Sequence, residues 1–569
     1  MKARIEDNVI YSPNPNIEIP VCSFYTLARE RLLVHPDKIS LVSDGVSLTR
    51  AQVLAGMERY AVGFQQHGVL PGDRVCIHVD NEVENLLAMY GCILAGATIV
   101  LAKTSLTERE LRYQAEDGDC THIITEEKYT DKVKAAVSNM NMKALVCMGR
   151  AAGFVSACEF SKLDEQQFRE CPIADPRSTV LAVCYTSGTT GMPKGAEITH
   201  YNYVACFYTT RLQMPWGEED IFFGSQPITH QSGMLYFMVA VLDGASCTLL
   251  SANLTPAEIL DSVDKYKATA AFFFSSQIKA IVSEMRRTGR RLPRIRAIVM
   301  GGSVVSASTA DAARESYSGL KLLLNMYGMT ESCGIVAGQP KTCALQTNAD
   351  VGVPATGVRI KRFEMLSDCI PTMFHNKCFH ILHIIKSLFN SHIVDVCTRR
   401  KLGPHETGEI CFQSLSMVRG YYKRPKETAE LFDDEGWCRS GDAGFYDEDG
   451  KLYILERLKQ MIKCMDNQVV PAELEELLLC EHALEIAEIS VVGLPHSDYG
   501  EAPAAAIVLT EEGRRNDLPA LAERIKATVA GNLAVHKHLY GGVYFVDHLP
   551  KTETSKINRS ALARTLIRA

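Results

Sequence analysis

Short apolar runs alternate with longer helical patterns over roughly the first 450 residues, and this alternation confines the chain to α/β layers. Such runs stand at 271–274, 298–300 and 322–324. Open α/β sheets place their ligands at strand ends, so the residues that follow each run carry the functional signal. The most informative end follows the apolar run 179–184, where the chain reads Tyr185-Thr186-Ser187-Gly188-Thr189-Thr190-Gly191-Met192-Pro193-Lys194-Gly195. Glycines let backbone N–H groups approach an anion closely, hydroxyls add neutral donors, and Lys194 adds a point charge. This loop is suited to a polyphosphate. Its lysine follows Met192-Pro193 and not a glycine, so the Walker spacing, and with it a P-loop NTPase, is disfavoured.

Further motifs follow in order. They are Pro227-Ile228-Thr229-His230 with Gly233, Met300-Gly301-Gly302-Ser303, and Asn325-Met326-Tyr327-Gly328-Met329-Thr330-Glu331-Ser332. Then come Thr407-Gly408-Glu409-Ile410, Ser440-Gly441-Asp442, Glu456-Arg457-Leu458-Lys459, and Pro550-Lys551-Thr552-Glu553-Thr554-Ser555-Lys556. The series resembles that of the adenylate-forming superfamily, which includes acyl-CoA synthetases, 4-coumarate–CoA ligases and beetle luciferases. Val351-Gly352-Val353-Pro354 and Val470-Pro471-Ala472-Glu473-Leu474-Glu475 are most similar to the coumarate-ligase and luciferase-like branch.

The resemblance implies a large multi-layer α/β adenylation domain, residues 1–458, and a small mobile α+β lid, residues 459–569. It implies ATP, Mg²⁺ and coenzyme A, and a carboxylic acid activated as acyl-AMP and then passed to CoA. Thr186, Ser187, Gly188, Thr189, Thr190 and Gly191 with Lys194 would hold the β- and γ-phosphates. Tyr327, within Tyr327-Gly328-Met329, would stack on adenine, with Gly302 on the adenine side. Thr330 would touch the α-phosphate, and Glu331 with Thr190 would bind the metal. Asp442, helped by Arg457, would accept from the ribose hydroxyls. His230 would stand between the nucleotide and acyl pockets, and Lys556 would bridge carboxylate and α-phosphate in the transition state. Lys459 would be the hinge, and Lys463 would serve the second, thioester-forming conformation. The acyl walls would come from Tyr236, Gln277, Met326 and Gly334, which no motif fixes.

Three departures stand out. Asp466 falls in a glycine slot beside the pantetheine path, Ser555 replaces the glycine before Lys556, and Ser303-Val304 replaces Ala-Pro. An acidic side chain beside an anionic substrate is unfavourable in size and charge, so the thioester step is the one in question. Two alternatives stay open: another adenylating enzyme, luciferase-like or transferring to a carrier thiol, and a weakened nucleotide-binding homologue.

Composition agrees without selecting the reading. A chain of 569 residues with 46% hydrophobic content exceeds one domain by size. A net charge of −7 gives no basic field for nucleic acid. None of the 19 cysteines forms a C-x-x-C pair, which fits reduced thiols. The apolar stretch 86–102 falls short of the roughly 20 residues of a spanning helix and reads as a helix followed by a strand. The ending Ile567-Arg568-Ala569 is not a peroxisomal address, so the expectation is a cytoplasmic enzyme, monomer or homodimer.

One segment breaks the pattern. Gly357-Val358-Arg359-Ile360-Lys361 should continue into Ile393-Val394-Asp395 and turn to Thr407-Gly408-Glu409, but residues 362–392 intervene. They are rich in Phe, Ile, Leu, Cys and His and lack turn chemistry. The spacings of Cys369, His375, Cys378, His380 and His383 match no standard zinc finger, and the segment reads as a translated intron or gene-model error.

Overall fold

The computed structural model describes residues 2–186, 192–302, 305, 307–341, 350–363, 401–465, 467–551 and 557–568. Four sheets organise the described residues. In the seven-stranded sheet, Arg74–His78 pairs in parallel with Thr98–Leu101 on one side and His122–Thr125 on the other. Helices Val83–Leu94 and Glu108–Asp117 make the crossovers, and the strands are buried on both faces, as parallel strands require. The stretch 86–102 thus becomes the expected helix and strand.

The nine-stranded sheet holds the parallel strands Ile221–Gly224, Ala270–Phe274, Ala297–Gly301 and Leu322–Met329. This last strand corrects the expected run 322–324. It continues through the nucleotide motif, because Asn325 is fixed by the Gln339 side chain and the Asp350 carbonyl, and Met326 and Tyr327 pair with Gly338 and Ala337. Asn325 to Met329 of the motif thus lie within the strand, and Thr330–Ser332 follow it as a 3-10 turn.

The third sheet is antiparallel: Val9–Tyr11, Arg359–Phe363, Gly408–Gln413, Cys438–Tyr446 and Leu452–Arg457 are neighbours in that order. The turn at Asp449-Gly450 joins the last two as a hairpin. Arg362 and Phe363 pair with Ile410 and Glu409, so the strand runs two residues beyond the point where the family pattern breaks. The rest of the anomalous segment, with Cys369, His375, Cys378, His380 and His383, lies outside the described residues.

The fourth sheet belongs to the lid. Ile486–His496 and Gly500–Leu509 form a long hairpin, with Ile462–Cys464, Asn467–Val469 and Gly542–Phe545 at its sides. Helices Pro471–Glu481 and Leu518–Asn532 bury Leu474, Leu478, Leu521 and Ile525 in a core of its own.

In the large domain, Thr199 ends strand Lys194–Thr199 and caps helix His200–Arg211 through a reciprocal box with Asn202. His200 is buried at that junction and its Nδ1 accepts from the Phe24 N–H at 3.1 Å. Burial holds the imidazole down to about 4. Its folded value lies below the unfolded one, near 6.5, so the unfolded chain binds more protons between the two and stability falls as pH drops through that window. Melting temperature followed from pH 7 down to about 4.5 is expected to fall more steeply in the parent than in His200→Asn, which keeps the acceptor without the titration. Equal slopes would refute this.

Candidate active site

Thr186 and Lys194 are the last and first residues of strands Val180–Thr186 and Lys194–Thr199, and they are cross-strand partners. The loop between them is thereby closed at its base. Its Ser187, Gly188, Thr189, Thr190 and Gly191 lie outside the described residues. Tyr185 anchors the base, its hydroxyl donating to Asp117 Oδ2 at 2.9 Å.

Glu331 sits in a single 3-10 turn, Thr330–Ser332, just after the nucleotide strand. The turn is held from three sides. Ser332 Oγ donates to the Gly334 carbonyl at 2.6 Å, Gln231 Nε2 donates to the Thr330 carbonyl at 3.0 Å, and Val418 N–H donates to the Glu331 carbonyl at 3.0 Å. The Glu331 carboxylate is buried and accepts from the Tyr421 hydroxyl at 2.5 Å. Lys194 Nζ stands 5.2 Å from the centre of the same Tyr421 ring. Tyr421 therefore links the lysine of the phosphate loop to the acidic residue of the nucleotide motif. A buried carboxylate linked through one tyrosine to Lys194 suits Mg²⁺, which takes one or two carboxylates and fills its shell with phosphate and water oxygens.

A second network gathers Tyr327, Asp442 and Arg457. Asp442 and Arg457 are cross-strand partners in the antiparallel sheet, and Arg457 Nε lies 2.9 Å from Asp442 Oδ1. The Tyr327 hydroxyl donates to Asp442 Oδ2 at 2.5 Å. The Asp442 N–H donates to Ser440 Oγ at 3.0 Å, which fixes the backbone under the carboxylate. Asp442 raises the Arg457 guanidinium above its ordinary range, while burial and then the Asp442 charge raise the Tyr327 phenol. Both Asp442 oxygens are thus held in place, the paired acceptors that a ribose diol needs. Gly302, at φ +81, follows the neighbouring strand in a conformation that favours glycine.

His230 caps helix Gln231–Leu242 and its Nδ1 accepts from the Ser232 N–H at 3.2 Å, which places the neutral ring's proton on Nε2. Gly233 is required here, because a Cβ would lie 1.9 Å from the Pro227 carbonyl oxygen. Asn81 sets the position of this turn. It donates to the Gln226 and Leu250 carbonyls and accepts from Ile228 N–H, each at 2.8 Å. Among the expected acyl walls, Tyr236 packs on Phe272 with ring centres 5.0 Å apart, and Gly334 lies beside Cys206. Gln277 instead accepts from Phe274 N–H at 3.1 Å and starts the following helix.

Lys459 lies in the 3-10 turn Leu458–Gln460, between the last strand of the large domain and the first of the lid. Lys463 is exposed on strand Ile462–Cys464. Met465 has φ 52, left-handed for a side-chain-bearing residue, immediately before Asp466. Asp466, Ser303, Val304, Ser555 and Lys556 lie outside the described residues. Three residues past Lys556, Arg559 joins lid to large domain: it donates to Glu456 Oε2 and Glu475 Oε1, both at 2.7 Å.

Tyr421, Asn81 and Arg559 were not singled out in the sequence. The only local signals were an aromatic after Gly420 and an arginine just after the last motif.

Comparison with known proteins places this geometry. Residues 28–365 match the AMP-binding enzyme family and residues 473–556 match the AMP-binding enzyme C-terminal domain. The chain belongs to the AMP-binding enzyme family, and so to the adenylate-forming superfamily that its motifs resemble. It is 29% identical to 4-coumarate–CoA ligase 1 of Petroselinum crispum over 98% of this chain and 96% of that protein. It is 27% identical to the 4-coumarate–CoA ligase of Vanilla planifolia, over 99% and 97%. Among solved structures, the anthranilate CoA ligase AuaEII with anthranoyl-AMP superimposes with a TM-score of 0.81 at 20% identity, covering 97% of this chain and 98% of that one. ATP-bound MatB from Rhodopseudomonas palustris gives 0.79 at 23%, covering 95% and 98%. These structures share the fold of both domains.

Proposed function

We propose that the protein is an ATP-dependent carboxylic acid–CoA ligase, forming acyl-AMP with release of pyrophosphate and then acyl-CoA. The observation that supports it most is the network in which Tyr327, on the strand that leads into Glu331, meets Asp442 and Arg457 of the antiparallel sheet. A carboxylate is a poor electrophile, and adenylation supplies AMP as leaving group. The attacking carboxylate and the α-phosphate repel each other, so the rate must come from positioning and positive charge. Asp442 fixes the ribose and Tyr327 the base, Lys194 and the hydroxyl loop hold the outer phosphates, and Thr330 meets the α-phosphate. Glu331 with Thr190 would hold Mg²⁺, which when bound neutralises charge on the phosphates. Lys556 brings a cation to the reacting oxygens when the lid, residues 459–569, closes on residues 1–458.

In the second half-reaction the lid turns at Lys459, a position in the short 3-10 turn between the two sheets. Lys463 then faces the site, and the CoA thiolate attacks the acyl carbon as AMP leaves. The similarity to 4-coumarate–CoA ligases makes aromatic acids the first substrate class to test.

Labelled pyrophosphate is expected to exchange into ATP only when a suitable acid and Mg²⁺ are both present, tested over short, medium, long and aromatic acids. Release of ADP and phosphate in place of AMP and pyrophosphate would sink the assignment.

A further inference from the structure

Residues 416–422 form a strap between two parts of the phosphate site. On one side it pairs with strand Lys194–Thr199: Arg419 N–H donates to the Glu197 carbonyl, Glu197 N–H to Gly420, and Tyr422 N–H to Gly195, at 2.9, 2.9 and 2.8 Å. Tyr421 and Ala196 form an antiparallel bridge. On the other side it grips the turn that carries Glu331, through Val418 N–H and through Ser416 Oγ, which donates to the Ser332 carbonyl at 2.8 Å. Thr428 Oγ1 accepts from Tyr421 N–H at 2.9 Å. Tyr421 is thus held by its backbone while its side chain meets both charged groups, with the hydroxyl on Glu331 and the ring near Lys194. The ring's negative face attracts the ammonium, and a hydrogen bond to a carboxylate is stronger and more directional than one to a neutral group.

We propose that Tyr421 is a positioning residue that couples the metal-binding carboxylate Glu331 to the phosphate-binding Lys194, so that cation and polyphosphate are held as one unit. This rests on Glu331 being the Mg²⁺ ligand. The Tyr421 hydroxyl engages one carboxylate oxygen and fixes the plane of the group. Without it Glu331 must be ordered by the incoming cation, and that ordering costs affinity.

The test uses Tyr421→Phe, which keeps the ring and removes the hydroxyl, in the full chain. Binding of Mn²⁺ in the presence of ATP, read by electron paramagnetic resonance, is expected to weaken on the order of ten-fold, the scale of one hydrogen bond to a charged group. In a Glu331→Gln background the same change should alter Mn²⁺ affinity by less than about two-fold, since the two act together. Tyr421→Leu, which also removes the ring, should further weaken ATP binding. Unchanged Mn²⁺ affinity in Tyr421→Phe, or an equal loss in both backgrounds, would overturn the coupling. Because the readout is binding, the proposal can fail while pyrophosphate exchange in the parent succeeds, and the reverse.

Discussion

Lys556→Ala lowers acyl-AMP formation by about a hundred-fold or more, while thioester formation from supplied acyl-AMP falls much less. The expectation follows from where charge develops. In the first half-reaction two anions are brought into bonding contact, and a cation aimed at their shared oxygens is worth most in the transition state. In the second, the acyl-adenylate is already made and the incoming group is a thiolate, so the same lysine has less to stabilise. The described residues on either side of it are held in place. Lys551 and Ile557 form a bridge, Lys551 Nζ lies 2.7 Å from Glu488, and Arg559 is fixed between Glu456 and Glu475. Both half-reactions measured on the same preparation decide the matter. Equal damage to both, with a lower melting temperature, would make Lys556 structural.

The parts of the fold that could be read from the sequence were those made by local pattern. The apolar runs at 271–274 and 298–300 became strands because parallel strands buried on both faces need continuous apolar residues. In the lid hairpin, Gly500-Glu501-Ala502-Pro503 carries residues of low strand propensity, yet pairing with Gly493–His496 holds them in the ladder. The apolar run 322–324 showed only the start of its strand, since Asn325 and Gly328 have low strand propensity and tertiary partners 14 and 25 positions away hold Asn325 in it.

The candidate site divides the same way. Lys194, Glu331, Asp442 and Arg457 lie in recognisable strings, whereas Tyr421 reaches Glu331 across 90 positions and Asn81 reaches Ile228 across 147. A polar side chain whose partner is so distant leaves no periodic trace in the sequence. Neither residue changes the local pattern around it.

Arg362 gives the anomalous segment its sharpest test. It is fully buried on the face shared with Ile360, opposite Ile410 in the ladder. Its guanidinium donates to the carbonyls of Leu402, Gly403 and Gly444 and lies over the Tyr446 ring, and its Nε finds no hydrogen-bond partner among the described residues. Burial holds the guanidinium down to about 10. A buried cation satisfied mainly by carbonyls costs stability, and replacing such a group by a fitting apolar side chain gains on the order of 1–4 kcal/mol. Deleting residues 362–392 joins Lys361 to Ile393, so that Ile393 takes the ladder position of Arg362 and Val394 that of Phe363. Both are strong strand formers, and an isoleucine beside Ile360 extends the apolar face. The deletion is expected to melt several degrees higher, give more soluble protein and keep pyrophosphate exchange, since it also removes a sequence rich in Phe, Ile and Leu. Arg362→Leu in the full chain should recover part of the gain in melting temperature. A deletion that melts lower or loses exchange while the parent is active would make residues 362–392 a genuine element of the protein, with Arg362 as the anchor that ties it to the sheet.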